Sequence, residues 1–394
     1  MNSDEYISKY ASTKNNKGYL SNSVGSKYLS EVKKKTSDEL VDIDNYFMNK
    51  NIKYNLDSRI FYNNHIRKKI KNVSSKQCLS ISKTSDTMNP EYNIKNTIIL
   101  TRRFGTSSVY GYIYIAKIKN EIGSRPIAAK LMVRNYRNLL ESTLNEKITE
   151  KIVKNKISRH FILTYKAIYC NVLSDKNTPR IISGEKYIIL LNELAHGDYK
   201  SLCKKKDFLK DNKVLYNIFI QMMLSIMTLH SFGYIHRDCH WGNFLYHNNN
   251  EKGYYQYKIN GQIYYLEACP YSIYLYDFGI AKEINDSHIK YIPEDYVRIT
   301  GAFRNKNNYY KSWLAKINIP SNLPSKEISI FAVNFGNQII NFYNENKSAN
   351  SSTFLNKITQ ELINIFLNIP HNMFTDKKPL NSKIINSTPF IIET

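Results

Sequence analysis

Cysteine is sparse in this 394-residue chain: Cys78, Cys170, Cys203, Cys239 and Cys269 are odd in number, scattered, and form no C-x-x-C pair. Nothing there indicates a disulfide framework or a paired-cysteine metal site, and free thiols in a reducing compartment are the expectation. No apolar run approaches the ~20 residues needed to cross a bilayer. Met1-Asn-Ser-Asp-Glu5 is also too acidic and polar to open a signal peptide. A soluble, intracellular protein without a membrane span is expected. Acidic side chains are the minority, 33 Asp and Glu against 56 Lys and Arg, for a formal charge of +23. Such an excess suits a polyanionic partner, because lysine-rich surfaces release counterions from phosphate. The excess is not localised. Lys, Asn, Ile and 32 Tyr are over-used throughout, as A+T-rich coding would produce, and the clusters Arg67–Lys71 and Lys204–Lys206 are short and far apart. Nucleic acid is therefore a possible but not the favoured partner, and an acidic substrate surface fits somewhat better.

What the chain does hold is a dense polar stretch, Tyr234-Ile-His-Arg-Asp-Cys-His-Trp-Gly-Asn-Phe-Leu245, followed downstream by Tyr276-Asp-Phe-Gly279. His236-Arg237-Asp238 with Asn243 matches H-R-D-x-x-x-x-N, in which the Asp receives or orients a hydroxyl proton and the Asn holds magnesium. Asp277 of Asp-Phe-Gly holds magnesium against nucleotide phosphates. Either motif alone would be weak evidence. Their order and context strengthen them: Asn217 to Phe232 carries Ile218, Met222, Ile226 and Leu229 at helical spacing, so a buried helix leads into the loop, and Ile273 to Tyr276 reads as a short strand before Asp277. On these residues the chain resembles the protein-kinase superfamily.

The resemblance implies a two-lobed α+β fold, with a small antiparallel β-rich lobe bearing one main helix and a larger, mostly helical lobe. It also implies ATP and Mg2+ as cofactors. Phe104 to Ala116 is similar to the glycine-rich phosphate loop, with Gly105, Ser108, Gly111 and Ile113 as nucleotide-binding positions. Glycine is scarce there, since Thr106 and Ser108 stand where the first two glycines usually do. Serine still lets backbone N–H groups approach phosphate, at a loss of conformational freedom. Ile127-Ala-Ala-Lys130 resembles V-A-I-K, so Ala128 would face the base and Lys130 the α- and β-phosphates. Glu141, Glu146 and Glu150 lie on the helical segment that follows. Glu146 and Glu150 share one face, and Glu146 is the favoured partner of Lys130. Tyr187 to Tyr199 reads as an apolar strand running into a turn. Its backbone at Glu193 to Ala195 would read adenine, Asn192 would stand behind the pocket, and Asp198 would reach the ribose.

The expected organisation is a polar, partly mobile N-terminal extension over 1–75, with a helix around Ser37 to Phe47; a small lobe and hinge over 76–197; and a large lobe over 198–394. An inserted hairpin over 248–272 is signalled by alternating runs around Asn260-Gly261. Departures from the family pattern are informative. His240 replaces the usual lysine, and an imidazole there would donate a proton to a γ-phosphate oxygen, most strongly as imidazolium. The D-x-H-x-x-N form resembles aminoglycoside and choline phosphotransferases, whereas Arg237 resembles the protein kinases, where that arginine answers a phosphorylated loop. No Ala-Pro-Glu is found, and the usual helix aspartate ahead of Phe335-Gly336 is missing. The hairpin, the Ser108 to Tyr114 loop and Ile157 to Leu163 are similar to putative protein kinases of large nucleocytoplasmic DNA viruses, over roughly Gln77 to Lys282. The implied activity is transfer of phosphate from ATP to serine or threonine of protein substrates, in a host cytoplasm or virion, with Asp238, His240, Lys130 and Glu146 catalytic and Asn243 and Asp277 binding metal. A small-molecule phosphotransferase and an inactive scaffold are the alternatives.

Overall fold

The computed structural model describes residues 53–74, 78–81, 92–108, 111–121, 125–172, 182–205, 207–304 and 324–394; for Ile81, Arg102 and Phe104 to Ser108 it describes the backbone alone. The helix expected around Ser37 to Phe47 lies outside the described residues. Seven antiparallel strands make the small lobe: β1 Leu79–Ile81, β2 Tyr92–Ile94, β3 Ile98–Ser108, β4 Gly111–Ile118, β5 Ile127–Val133, β6 Thr164–Cys170 and β7 Tyr187–Glu193. They lie in the order β1-β2-β3-β4-β5-β7-β6.

Side chains alternate across a strand, and here the alternation makes two cores. Ile127, Ala129 and Leu131 of β5 join Leu100, Ala116, Ile189 and Leu191 on one face. Met132 joins Ile188 and Leu190 on the other, against Leu139 of helix α2, Tyr136–Ile148. Lys130, two positions before Met132, thus shares the α2 side of the sheet. The helix starts at Asn135, whose side chain accepts the Asn138 N–H at 2.9 Å.

Helix α1, Leu56–Lys69, precedes the sheet and covers the first face: Ile66, Ile70 and Val73 enter its core. This part of the N-terminal stretch is tied to the folded unit, with Asn63 Nδ2 donating to the Thr164 carbonyl at 3.0 Å. The sulfurs of Cys78 and Cys170 are bonded across 92 residues, with Cα atoms 5.8 Å apart. That overturns the expectation of five free thiols; Cys203, Cys239 and Cys269 are free and buried.

The large lobe is built on helix α4, Asn212–Ser231, which follows the short helix α3, Tyr199–Leu202. Asp211 caps α4 by accepting the Val214 N–H at 3.1 Å. Gly233, at φ +81°, ends it by bonding its N–H to the His230 carbonyl at 2.8 Å. Contrary to the sequence reading, this helix is long and apolar enough to cross a membrane, but its most apolar 18-residue stretch is 94% buried within the protein, as a core helix is. The inserted hairpin consists of the strands Tyr254–Ile259 and Gln262–Glu267; Phe374–Thr375 pairs with the second of them and Phe390–Ile392 with the first. Asn260 at φ +44° and Gly261 at φ +85° both take the left-handed region that a two-residue hairpin turn demands.

Candidate active site

Strands β10 Phe244–Asn248 and β13 Tyr271–Leu275 pair antiparallel, with Phe244 opposite Leu275. The loop entering β10 and the loop leaving β13 therefore share one end of this sheet. Two bonds clamp them: the Tyr276 N–H donates to the Asn243 carbonyl at 2.9 Å, and His236 Nε2 lies 3.0 Å from the Tyr276 carbonyl. Asp238, Asn243 and Asp277 are thereby brought to the same place. Arg237 at φ +69° and Asp277 at φ +66° sit in the left-handed region without being glycine. That strain persists only where the surroundings over-determine the backbone.

Much of that constraint comes from Asp295, fully buried on helix α5, Tyr291–Thr300. Its carboxylate accepts the His236 N–H at 2.7 Å and the Arg237 N–H at 2.6 Å, and a third bond at 3.1 Å joins it to His230 Nε2 at the end of α4. Burial would raise its pKa, but His230 and these bonds outweigh it and hold the carboxyl below the usual range. The helix aspartate that the sequence reading found missing near Phe335 is thus supplied by Asp295.

On the sheet side, Lys130 Nζ bonds Glu141 Oε1 at 2.6 Å and stands 3.7 Å from Asp277 Oδ1. Burial works to lower the lysine pKa, yet the two carboxylates outweigh it and raise it above the ordinary value, so Lys130 is a held cation. Residues 108–305, half of the chain, match the family model described as protein kinase domain. The chain belongs to the protein kinase family. Among solved structures the kinase is similar to a chain of the yeast RNA polymerase II CTD kinase CTDK-1 complex, at 17% identity and a TM-score of 0.29, over 47% of this chain and 50% of that one. The match thus spans half the length of that relative. No curated protein matches.

The pairing of Lys130 corrects the choice of Glu146. Buried residues of α2 include Glu141, Leu144, Asn145 and Ile148, the i, i+3, i+4, i+7 stripe of one face. Glu141 falls on that stripe and Glu146 does not. Glu146 instead accepts the Ala167 N–H of β6 at 3.0 Å, while Glu150 pairs with Arg67 and Lys154.

The kinase's His240 does not stand as a free cation. Its Nδ1 accepts the Gly242 N–H at 3.0 Å, and burial lowers its pKa against the pull of Asp238, whose Oδ2 lies 3.7 Å from Nε2. The ring caps the turn Trp241–Asn243 through Nδ1, which leaves only Nε2 to donate. Asn243 gives Nδ2 to the Asp238 carbonyl at 2.8 Å, which leaves Oδ1 as its ligand atom.

In the lobe linker, the N–H groups of Glu193, Leu194 and His196 are bonded to the carbonyls of Leu163, Pro126 and Tyr246. Among the described residues no acceptor is found for the Ala195 N–H. The Glu193 side chain is buried with Arg59 at 2.8 Å and His247 at 3.3 Å, a structural role that the sequence reading did not anticipate. Asn192 bonds Thr164 and Tyr276. Asp198 spends one oxygen capping α3, taking the Ser201 N–H at 2.7 Å. Of the phosphate loop, Ser108 pairs with Gly111 and Phe104 with Ile113 across the β3–β4 hairpin. A Cβ on Gly111 would come within 2.8 Å of the Leu131 carbonyl, so that close approach requires glycine. Ala128 lies opposite Asn192.

Proposed function

We propose that this kinase transfers the ATP γ-phosphate to serine and threonine hydroxyls of proteins. The observation that carries the reading is Lys130 held between Glu141 and Asp277, at 2.6 and 3.7 Å, because phosphoryl transfer in this family needs the lysine pair and the metal-binding aspartate in place together. Asp238 orients the acceptor hydroxyl. Lys130 meets the nucleotide phosphates, Ala195 offers its N–H to adenine, and Asp198 keeps one oxygen for the ribose. Gly105, Ser108, Gly111 and Ile113 line the phosphate loop.

Asn243 Oδ1 and the Asp277 carboxylate fit Mg2+, a hard cation that takes one or two protein oxygens and fills its octahedron with phosphate and water. Among the described residues no trio of His, Cys, Asp or Glu forms a closed metal cage. When bound, the metal neutralises charge developing on the phosphoryl oxygens. The small lobe and hinge are assigned to 76–197 and the large lobe to 198–394. The motifs shared with kinases of large nucleocytoplasmic DNA viruses suggest the host cytoplasm or the virion. The Cys78–Cys170 bond favours the virion, where disulfides persist.

The test is incubation with labelled ATP and magnesium, wild type beside Asp277→Ala, followed by phosphoamino-acid analysis. Phosphoserine and phosphothreonine that vanish in the variant are expected. Transfer that survives replacement of both Asp238 and Asp277 overturns the reading. One observation favours a second reading, a small-molecule phosphotransferase: only residues 280–290 join Gly279 to helix α5, a short connection on which to seat a protein substrate. Stimulation of ATP turnover by an aminoglycoside or choline, without labelled protein, selects it.

A further inference from the structure

Asp238 has a cation beside it that comes from outside the catalytic loop. Arg298, on the same helix as Asp295, directs Nη1 to Asp238 Oδ1 at 3.3 Å. Its Nε and Nη2 grip Glu294 Oε1, one turn back, at 3.1 and 2.8 Å. Glu294 is 8% exposed, and the charge-assisted fork onto its oxygen fixes the guanidinium plane. The other oxygen of Asp238 is approached by Asn243 Nδ2 at 3.4 Å. Both carboxylate oxygens thus have a donor from a different element, one from the loop and one from α5.

We propose that Arg298 is the positioning residue for Asp238, acting from outside the catalytic loop. Asp238 is a third exposed, and so is Arg298. A carboxylate that open to water samples several rotamers unless something holds it. Arg298 holds it with one N–H, and three of the five guanidinium N–H groups are accounted for by Asp238 and Glu294. Because Glu294 already offsets one unit of charge, the contribution of Arg298 is orientation before net charge. Helix α5 then serves the loop twice: Asp295 fixes its backbone and Arg298 aims its base.

The inference rests on the protein-kinase reading, and the experiment separates the two. Initial rates of labelled-phosphate transfer are measured for wild type, Asp277→Ala, Arg298→Gln, Arg298→Lys and Arg298→Gln with His240→Lys, each with its thermal midpoint. Arg298→Gln is expected to lower kcat by roughly 10- to 100-fold, the scale of misplacing a reacting group, with KM for ATP changed less than about twofold. Arg298→Lys, and a loop cation introduced by His240→Lys, are each expected to recover about tenfold of that loss, which a merely structural arginine does not predict. A kcat for Arg298→Gln within about twofold of wild type, alongside an inactive Asp277→Ala, overturns the inference alone. So does failure of both lysine variants to recover activity. Wild-type protein with no Asp277-dependent transfer overturns the underlying reading and the inference with it. If Arg298→Gln unfolds because Glu294 is left buried and unpaired, Arg298→Gln with Glu294→Gln carries the same comparison.

Discussion

Replacing Arg59 by alanine removes a guanidinium that is 1% exposed and makes four hydrogen bonds: two to Glu193, at 2.8 and 3.2 Å, and one each to the Arg159 and Phe161 carbonyls, at 3.0 and 2.6 Å. Breaking one partner out of a buried ion pair costs about 3–5 kcal/mol, because the surviving charge stays desolvated. The two carbonyls add to that cost, while His247, 3.3 Å from Glu193, offsets part of it. A loss of about 4 kcal/mol is expected, near 8 °C in thermal midpoint at the ~2 °C per kcal/mol typical of larger domains. Arg59→Met with Glu193→Leu removes both charges of the pair and is expected within about 2 kcal/mol of wild type.

Acid titration gives a second reading of the same pair. Burial would raise the Glu193 pKa, but Arg59 and His247 outweigh it and bring it down to about 2. In the wild type this depressed value contributes stability that is present above the unfolded pKa and lost as pH falls toward 2. Without Arg59, burial dominates and the carboxyl rises above its ordinary value, so protonation relieves the variant at milder acidity. The gap between wild type and Arg59→Ala, followed by urea unfolding, should therefore narrow between about pH 8 and pH 5. A destabilisation under about 1 kcal/mol, or a gap that does not narrow, refutes the argument that Arg59 ties α1 to the lobe linker through a buried pair.

Glu141→Ala should lower kcat/KM for ATP by roughly 10- to 100-fold, the worth of a charge-assisted bond of about 1.5–3 kcal/mol, while Glu146→Ala should stay within about threefold; steady-state kinetics of the two variants decides between them. Burial lowers the pKa of His160 to about 3 and of His247 to about 4, so both are kept neutral by the fold. Their stabilisation is present above the ordinary imidazole value and lost as pH falls toward those folded values, so unfolding free energy should drop by about 2 kcal/mol per histidine between pH 6.5 and 5; a flat profile by denaturant titration contradicts it. Gly253, at φ +119°, would place a Cβ 2.2 Å from the Lys383 carbonyl, whereas Gly261 has open space. Gly253→Ala should therefore cost more than Gly261→Ala, which carries only the strain of a left-handed residue, ~1 kcal/mol; equal thermal midpoints would count against the clash.

The parts legible in the sequence are those whose chemistry is local. Asp238, Asn243 and Asp277 announce themselves by spacing, Lys130 by the strand around it, and the hairpin by Asn260-Gly261. Glu141 was misassigned because three glutamates decorate one helix, and its phase is set by where Leu144 and Ile148 dock, which is tertiary information. Asp295 was missed for a different reason. Its partners are backbone N–H groups, which carry no side-chain signature, and the stretch preceding it is far shorter than the family pattern led one to expect. Arg59 lies in the stretch expected to be a polar extension, and nothing in its neighbours shows that Glu193 waits 134 positions away. The Cys78–Cys170 bond joins residues 92 positions apart, and spacing encodes no such contact.

The carboxylate of Asp295 has consequences for how this chain can change over generations. One oxygen serves the catalytic loop, the other both the loop and the end of the central helix through His230. These three bonds tie Asp295 to the fold as well as to the loop, so its presence says little about whether phosphate is transferred. Lys130, Glu141 and Asp277 are the opposite case. They form a cluster of charge in the cleft, and burying such charge adds little stability when apolar side chains could fill the same space. Random substitution would erode that trio first once selection on phosphate transfer lapsed.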